Sequence, residues 1–515
     1  MSNTGIDSAA VAGSRTLTSS IVSTTSPLTP RITAVLETSQ NTLVAQVPAS
    51  QPEIAVTLGR ATAPDVTYSS LGQTYATSMA WAQPPADMVS RVMENNLKTY
   101  ASSGRLASLL NGLGSELLQG LSGKQRQWHQ AAVNYRPGYR EPGNADVVAA
   151  GTAAVDALKA AGELENTINL KIRTKSGKEV DIAIRFGGDG KAVQSSLGID
   201  IEVSEELDAV ELDAIAKLGQ GLDAALQGAV GEMPKVDIAG LLGFDTTLIA
   251  GVDLKMNGAT QRNGVQSFEF HADANSRSFS MQSVTGRLAV NVDLSTAPLG
   301  SAEQQRVALQ RFLEQFDAAN VRAHGEEALL EQFKAAFAQL NTDYPPPQSR
   351  PAAPLPAWML NEQDRSVLSG LADFNASMSG DFDNGSPTQK ITEAGHMRYE
   401  VAQTTEIEGI DKKNGLRIVQ SQTASLRATQ ERARGQAALD KESGNYDVFR
   451  ITDKTSATTT VEYDDLDVKS AGVDESSSRL DQYEKWVDHE LVERRDTPYS
   501  TRVLRDLIEQ VRPRL

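Results

Sequence analysis

Five histidines, His129, His271, His324, His396 and His489, carry all the imidazole chemistry open to this 515-residue chain. No cysteine accompanies them. That absence removes thiolate nucleophiles, disulfides, Cys–zinc sites and iron–sulfur ligation together. It also suits a chain that passes unfolded through an export channel, where a stray thiol can crosslink. A serine nucleophile needs a strained elbow, and no Gly-x-Ser-x-Gly run surrounds any serine. His324 lies in Ala-His-Gly-Glu-Glu and His489 in Asp-His-Glu-Leu-Val-Glu. Neither supplies the i, i+4 histidine pair that places two imidazoles on one zinc. Both read as surface or cap histidines.

Phosphate and metal loops fare no better. Gly187-Gly188-Asp189-Gly190-Lys191 follows a strand pattern but lacks Walker spacing, and its aspartate repels phosphate. It reads as a turn. Gly112-Leu113-Gly114 sits in a helical pattern, so it is not a dinucleotide fingerprint. Asp381-Phe382-Asp383-Asn384-Gly385 opens like a calcium loop, yet Gly385 comes one place early for an EF-hand and Glu393 one place late. It reads as a polar loop. Paired carboxylates meet in space, not in sequence, so an acidic chain gives no evidence about them. No catalytic residue is assigned, and neither a cofactor nor a metal is expected.

The charge balance narrows the partners. A net charge of −17 and a pI near 4.9 oppose phosphate-backbone binding and anionic membrane surfaces. No run approaches the ~20 apolar residues of a membrane span. The first residues lack a basic segment followed by an apolar one, so a cleaved secretory signal is not expected. A protein partner is expected, without nucleic acid and without a membrane span.

The elements follow from periodicity. Residues 1–65 are Ser/Thr/Pro-rich and read as a disordered leader, with one partly apolar run from Ile32 to Val47. Residues 70–162 read as helical: Met88, Val92 and Met93 start one stripe, and Leu106, Leu109, Leu110, Leu113, Leu117 and Leu118 form another. From 165 to 342 the period changes to two. Ile168, Leu170 and Ile172 alternate with polar residues, as do Val180, Ile182 and Ile184, with a turn over Lys175–Lys178. Ser204 is the expected N-cap of a following helix, and a long helix from Ser301 to Leu340 breaks at His324-Gly325. Residues 343–357 are a Pro-rich linker. A short helix over 361–379 precedes a meander of runs at 396–408, 416–428, 445–452 and 457–468, with Asp464-Asp465-Leu466-Asp467 inside a strand. One or two terminal helices are expected from Tyr483 to Val511. The fold class is α+β: a helical N-terminal region, a central antiparallel sheet with packed helices, and a C-terminal antiparallel β-meander domain (358–515) with terminal helices.

The strand at Leu197, the acidic helix start Ser204-Glu205-Glu206-Leu207-Asp208, then Gly243-Phe244-Asp245 and Ala250-Gly251-Val252-Asp253-Leu254 together resemble domains of unknown function in large, acidic, cysteine-poor bacterial proteins. Some of those are encoded near flagellar or export genes. The resemblance implies no catalytic residue. Whole-chain relatives are expected to carry a lactate dehydrogenase label, which lacks motif support here: there is no dinucleotide fingerprint after a strand and no Arg/His/Asp active-site motif. The function expected is that of a bacterial protein, exported or surface-associated, acting by non-catalytic protein contact. The alternatives are an exported effector hydrolase using carboxylates or a metal, and a cytoplasmic scaffold. Secretion by a leaderless route and a cytoplasmic location both remain open at this point.

Overall fold

The computed structural model describes residues 78–122, 124, 126–135, 166–188, 194–231, 235–258, 265–295, 299–344, 360, 362–385, 389–409, 411–435 and 437–511. The expected leader at 1–65 and the Pro-rich linker at 343–357 therefore lie outside, or almost outside, the described residues.

Alternation of apolar and polar residues builds the first strands: β3 (Asn166–Thr174), β4 (Glu179–Gly188) and β5 (Gln194–Val203). Ile168, Ile172, Val180, Ile182, Ile184 and Ile199 all turn to one face and are buried. The same logic gives β6 (Ile249–Asn257), β7 (Val265–Asp273), β8 (Ser276–Ser283) and β9 (Gly286–Asp293). The remaining strands are longer: β10 (Asp373–Asp383), β11 (Glu393–Gly409), β12 (Leu416–Ala433), β13 (Tyr446–Asp464), β14 (Asp467–Val487) and β15 (Glu490–Asp506). With β1 (Ser78–Trp81) and β2 (Gln127–Tyr135) they form one antiparallel sheet in the order β1-β2-β5-β4-β3-β6-β7-β8-β9-β10-β11-β12-β13-β14-β15.

The protein is thus mostly antiparallel sheet with packed helices, richer in strand than the α+β expectation. β9 pairs with β10 across the Pro-rich segment, so the strands of the expected central domain and of the expected meander belong to one sheet. The helical expectation for 70–162 needs correction. Gln127–Tyr135 is a strand pairing β5, and Ser78–Trp81 a short one beside it. Among the described residues of this range, helix is confined to α1 (Met88–Ser103) and α2 (Leu113–Gln119), with a 3-10 turn over Leu106–Leu110; residues 136–162 lie outside the described ones. Gly104 and Gly112 cut these pieces apart, each at a φ of 67° that a side chain disfavours.

After β5 the chain enters α3 (Ala209–Ala216), α4 (Gly219–Val230) and the short α5 (Ala239–Leu242). The expected N-cap, Ser204, is not the one used. Asp208 accepts from the N–H groups of Val210 and Glu211, and Glu211 returns a bond to the Asp208 N–H, a reciprocal box. Glu211 also takes Lys178 Nζ at 2.7 Å and Ser176 Oγ at 2.5 Å. Burial alone would raise this carboxyl, but those bonds outweigh it and hold it at about 2. Helices α4 and α5 touch backbone to backbone: a Cβ on Gly221 would lie 2.4 Å from the carbonyl carbon of Gly240.

Helices α6 (Ala302–Ala323) and α7 (Glu327–Leu340) follow β9 and break where expected, with His324 capping α6 at a φ of 56°. Phe312 and Phe316 from α6 interlock with Phe333 and Phe337 from α7 over Phe374 of β10 and Tyr399 of β11. Only Glu362–Ser366 of the expected 361–379 helix is helical (α8), because β10 begins at Asp373. Asp464–Asp467 does not run inside one strand: Asp464 ends β13 and Asp467 opens β14. Asp465 and Leu466 have φ of 50° and 73° and make the β13–β14 turn. The expected terminal helices over 483–511 are also corrected. Trp486, Val487, Leu491 and Leu504 lie on strands, and helix is confined to α9 (Ile508–Val511).

Candidate interaction surface

Among the described residues the helices cover one face of the sheet. The other face is open and polar. One row of register partners crosses it from Lys171 through Asp253, His271, Ser278 and Asn291 to Asn375, then through Thr423 and Ser456 to Arg502. Partners directly opposite in an antiparallel ladder share a face, so these side chains are neighbours. Across β10–β15 this face sinks into a trough of about 920 Å³, lined by Ser377, Ser425, Ser456, Ser476, Ser478 and Ser500 with Glu400, Lys454 and Arg502.

The histidines are held singly. His129 pairs with Asp200, His271 with Asp253 (2.6 Å), His324 with Glu393 (2.7 Å) and His396 with Asp381 (2.8 Å), each through Nδ1. A carboxylate at Nδ1 fixes the ring and its tautomer. These dyads do not converge. Four strands separate β2, which carries His129, from β7, which carries His271, a span of roughly 24 Å at the usual strand spacing. His489 sits apart in the β14–β15 turn with a φ of 67°. Among the described residues no group of three His, Asp or Glu is arranged to hold a metal.

His271 has the densest surroundings. Asp253 meets its Nδ1, Asp273 lies 3.4 Å from its Nε2, and Arg173 bonds the second oxygen of Asp253 at 3.0 Å. Asp273 raises the imidazole above its ordinary value, burial opposes, and Asp253 adds to the rise. Burial alone would raise Asp273, but His271 and the N–H groups of Asn275 and Ser276 hold it at about 2. Asp273 then contributes stability above its ordinary 3.8, lost as pH falls toward 2. His271 contributes fully below 6.5, and that is lost as pH rises through its elevated value. Stability from this cluster therefore peaks between those limits. His271→Gln should flatten the fall of the urea midpoint as pH rises above 6.5 and weaken its fall below 3.8; unchanged flanks would show that the cluster does not contribute to stability.

The acids singled out in sequence also have local partners. The expected polar loop at Asp381–Gly385 is corrected: Asp381–Asp383 end β10, paired with His396–Ala394 of β11, and only beyond them does Asp383 accept from the Gly385 N–H and Asn384 accept from the Thr392 N–H. Gly187 and Gly188 end β4, and the rest of that glycine run lies outside the described residues. Asp373 is a buried acid at the start of β10. Burial raises it, opposed by the N–H and Oγ1 of Thr405 at 2.7 and 2.8 Å.

No family model, curated protein or solved structure matches this chain. The resemblance read over 197–254, which folds as β5, α3, α4, α5 and β6, gains no relative from these comparisons. No described helix is long and apolar enough to cross a membrane.

The last strand is the least covered part of the sheet. Helix α6 reaches β13 and β14 through Arg322, which binds Asp453 and Asp481. Every residue of β15 is exposed, Leu504 to 71%. The direction of its backbone groups follows from one bond. Leu507 N–H donates to the Ala471 carbonyl at 2.9 Å, in the same register that pairs Gly472 with Asp506. Hydrogen-bonded and non-bonded pairs alternate along an antiparallel ladder. Odd residues from Arg495 to Arg505 therefore turn N–H and C=O toward β14, and even ones from Asp496 to Asp506 turn outward. Pro498 is even. The N–H it lacks would have faced the open edge, the position where a sheet tolerates proline. It interrupts that edge and leaves Ser500, Arg502, Leu504 and Asp506 as an unbroken set of outward groups. Sequence reading missed these residues because it placed them on a helix.

Proposed function

We propose that this chain is an exported or surface-associated protein of non-catalytic type, working by protein–protein contact through the free edge of β15. The observation that carries this reading is the run of outward backbone groups from Ser500 to Asp506. Unpaired strand edges recruit another strand, and proteins that must avoid this shorten or cover them. β1, at the far end of the sheet, is only four residues long. β15 has 17 residues and no covering element among the described ones. Added strands gain affinity from main-chain bonds and specificity from alternate side chains.

The export part of the reading rests on the Ser/Thr-rich, weakly charged leader and the absence of cysteine. Fractionation of producing cells into lysate, washed surface and medium tests export, and chemical crosslinking of the exported chain tests the edge. The full chain should appear on the surface or in the medium, and deletion of residues 1–65 should confine it to the lysate. Leu504→Pro should leave export intact but abolish the protein crosslinks that the parent chain forms. Full-length protein found only in lysates of intact cells would refute export. A Leu504→Pro chain crosslinked like the parent would refute the edge as the contact.

A further inference from the structure

The outward half of β15 reads Arg502-x-Leu504-x-Asp506, a pattern complementary to itself when reversed. We infer that β15 takes a second copy of this chain, strand against strand and antiparallel, about a two-fold axis through Leu504. The inference rests on the reading of β15 as a contact edge and names its occupant. In this register Arg502 faces Asp506 of the second copy at both ends, and Leu504 meets its own counterpart. The outward N–H and C=O groups of the three residues become hydrogen-bonded pairs.

Both charged groups have capacity left. Arg502 uses Nε and Nη2 on Asp474, at 3.0 and 2.6 Å, which leaves Nη1. Asp506 uses Oδ1 to cap Ile508 N–H at 2.9 Å, which leaves Oδ2. Neighbouring registers are worse. An axis at Arg502 sets arginine against arginine, and opposed like charges destabilise a pair. An axis at Val503 sets Arg502 against leucine and Asp506 against serine. Pro498 lies beyond the paired segment and stops pairing from extending toward the β14–β15 turn. An isologous contact of this kind closes on itself, so the assembly ends at two copies.

Sedimentation velocity of the full chain over a concentration series tests this. The parent should pass from monomer to dimer as concentration rises. Arg502→Asp sets acid against acid, and Asp506→Arg sets base against base, so each variant alone should stay monomeric. Mixing the two variants restores opposite charges at both ends and should restore the dimer. Leu504→Pro removes an outward N–H without touching the bonds to β14, and should also be monomeric. A parent that stays monomeric, or a dimer that survives all three substitutions, overturns the inference. In the monomeric case, amide exchange at Arg502 and Leu504 separates it from the broader reading. Fast exchange leaves the edge open to a different protein strand, whereas protection within the monomer ends both.

Discussion

Phe316→Ala is expected to lower stability by about 3–5 kcal/mol, the range for truncating a buried aromatic that its surroundings cannot refill. Phe316 is fully buried. Its ring lies 4.9 Å from Phe333, 5.0 Å from Phe337 and 5.8 Å from Tyr399, measured between centroids. It therefore ties α6 to α7 and both helices to β11. Helix hairpins and long strands hold the walls of this site in place, so the cavity should collapse poorly. Urea denaturation of the parent and variant measures the loss. Phe316→Leu, which retains most of the apolar volume, should recover a large part of it. A loss below about 1 kcal/mol for the alanine variant would mean that the helix hairpin does not depend on this cluster.

Asp364→Ala should cost a similar amount for a different reason. Asp364 is 1% exposed and pairs with Lys412 and the Tyr463 hydroxyl under the second apolar cluster, where Leu360, Leu368, Leu416, Ile418 and Val511 meet. The Lys412 ammonium also sits 4.5 Å over the Tyr463 ring. Removing one partner of a buried pair leaves the other charge uncompensated, at a cost of about 3–5 kcal/mol. Asp364→Asn keeps an acceptor for the tyrosine and should lose less. Lys412→Met, which withdraws the stranded charge, should partly rescue Asp364→Ala in a double-mutant cycle. Additive losses in that cycle would contradict direct coupling.

The legible parts of the fold are those where one face is buried and the other wet. β3, β4 and β7–β9 alternate because helices cover only one side, and the break at His324-Gly325 is visible because a left-handed cap needs such residues. Gln127–Tyr135 misled because five successive residues, Gln130 to Asn134, are buried, so no alternation marks the strand. The error over 483–506 has the opposite origin. β15 is exposed on both faces, so its apolar residues keep no period of two, and their spacing passes for a helical stripe. One signal there was readable: Pro498 cannot sit inside a helix without removing a bond and clashing with the preceding turn. The contact edge itself has no signature in the residues alone, because it exists only once register and ladder parity are known.

Amide hydrogen exchange along β15 in dilute, monomeric protein reports on its free edge. Protection should alternate with a period of two. The amides of Tyr499, Thr501, Val503 and Arg505 should be slowed by β14, while those of Ser500, Arg502, Leu504 and Asp506 exchange freely. Equal protection of both sets would show that the edge is already covered, and equal exposure would show that β15 is not paired to the sheet. Either result would contradict a contact built on this strand.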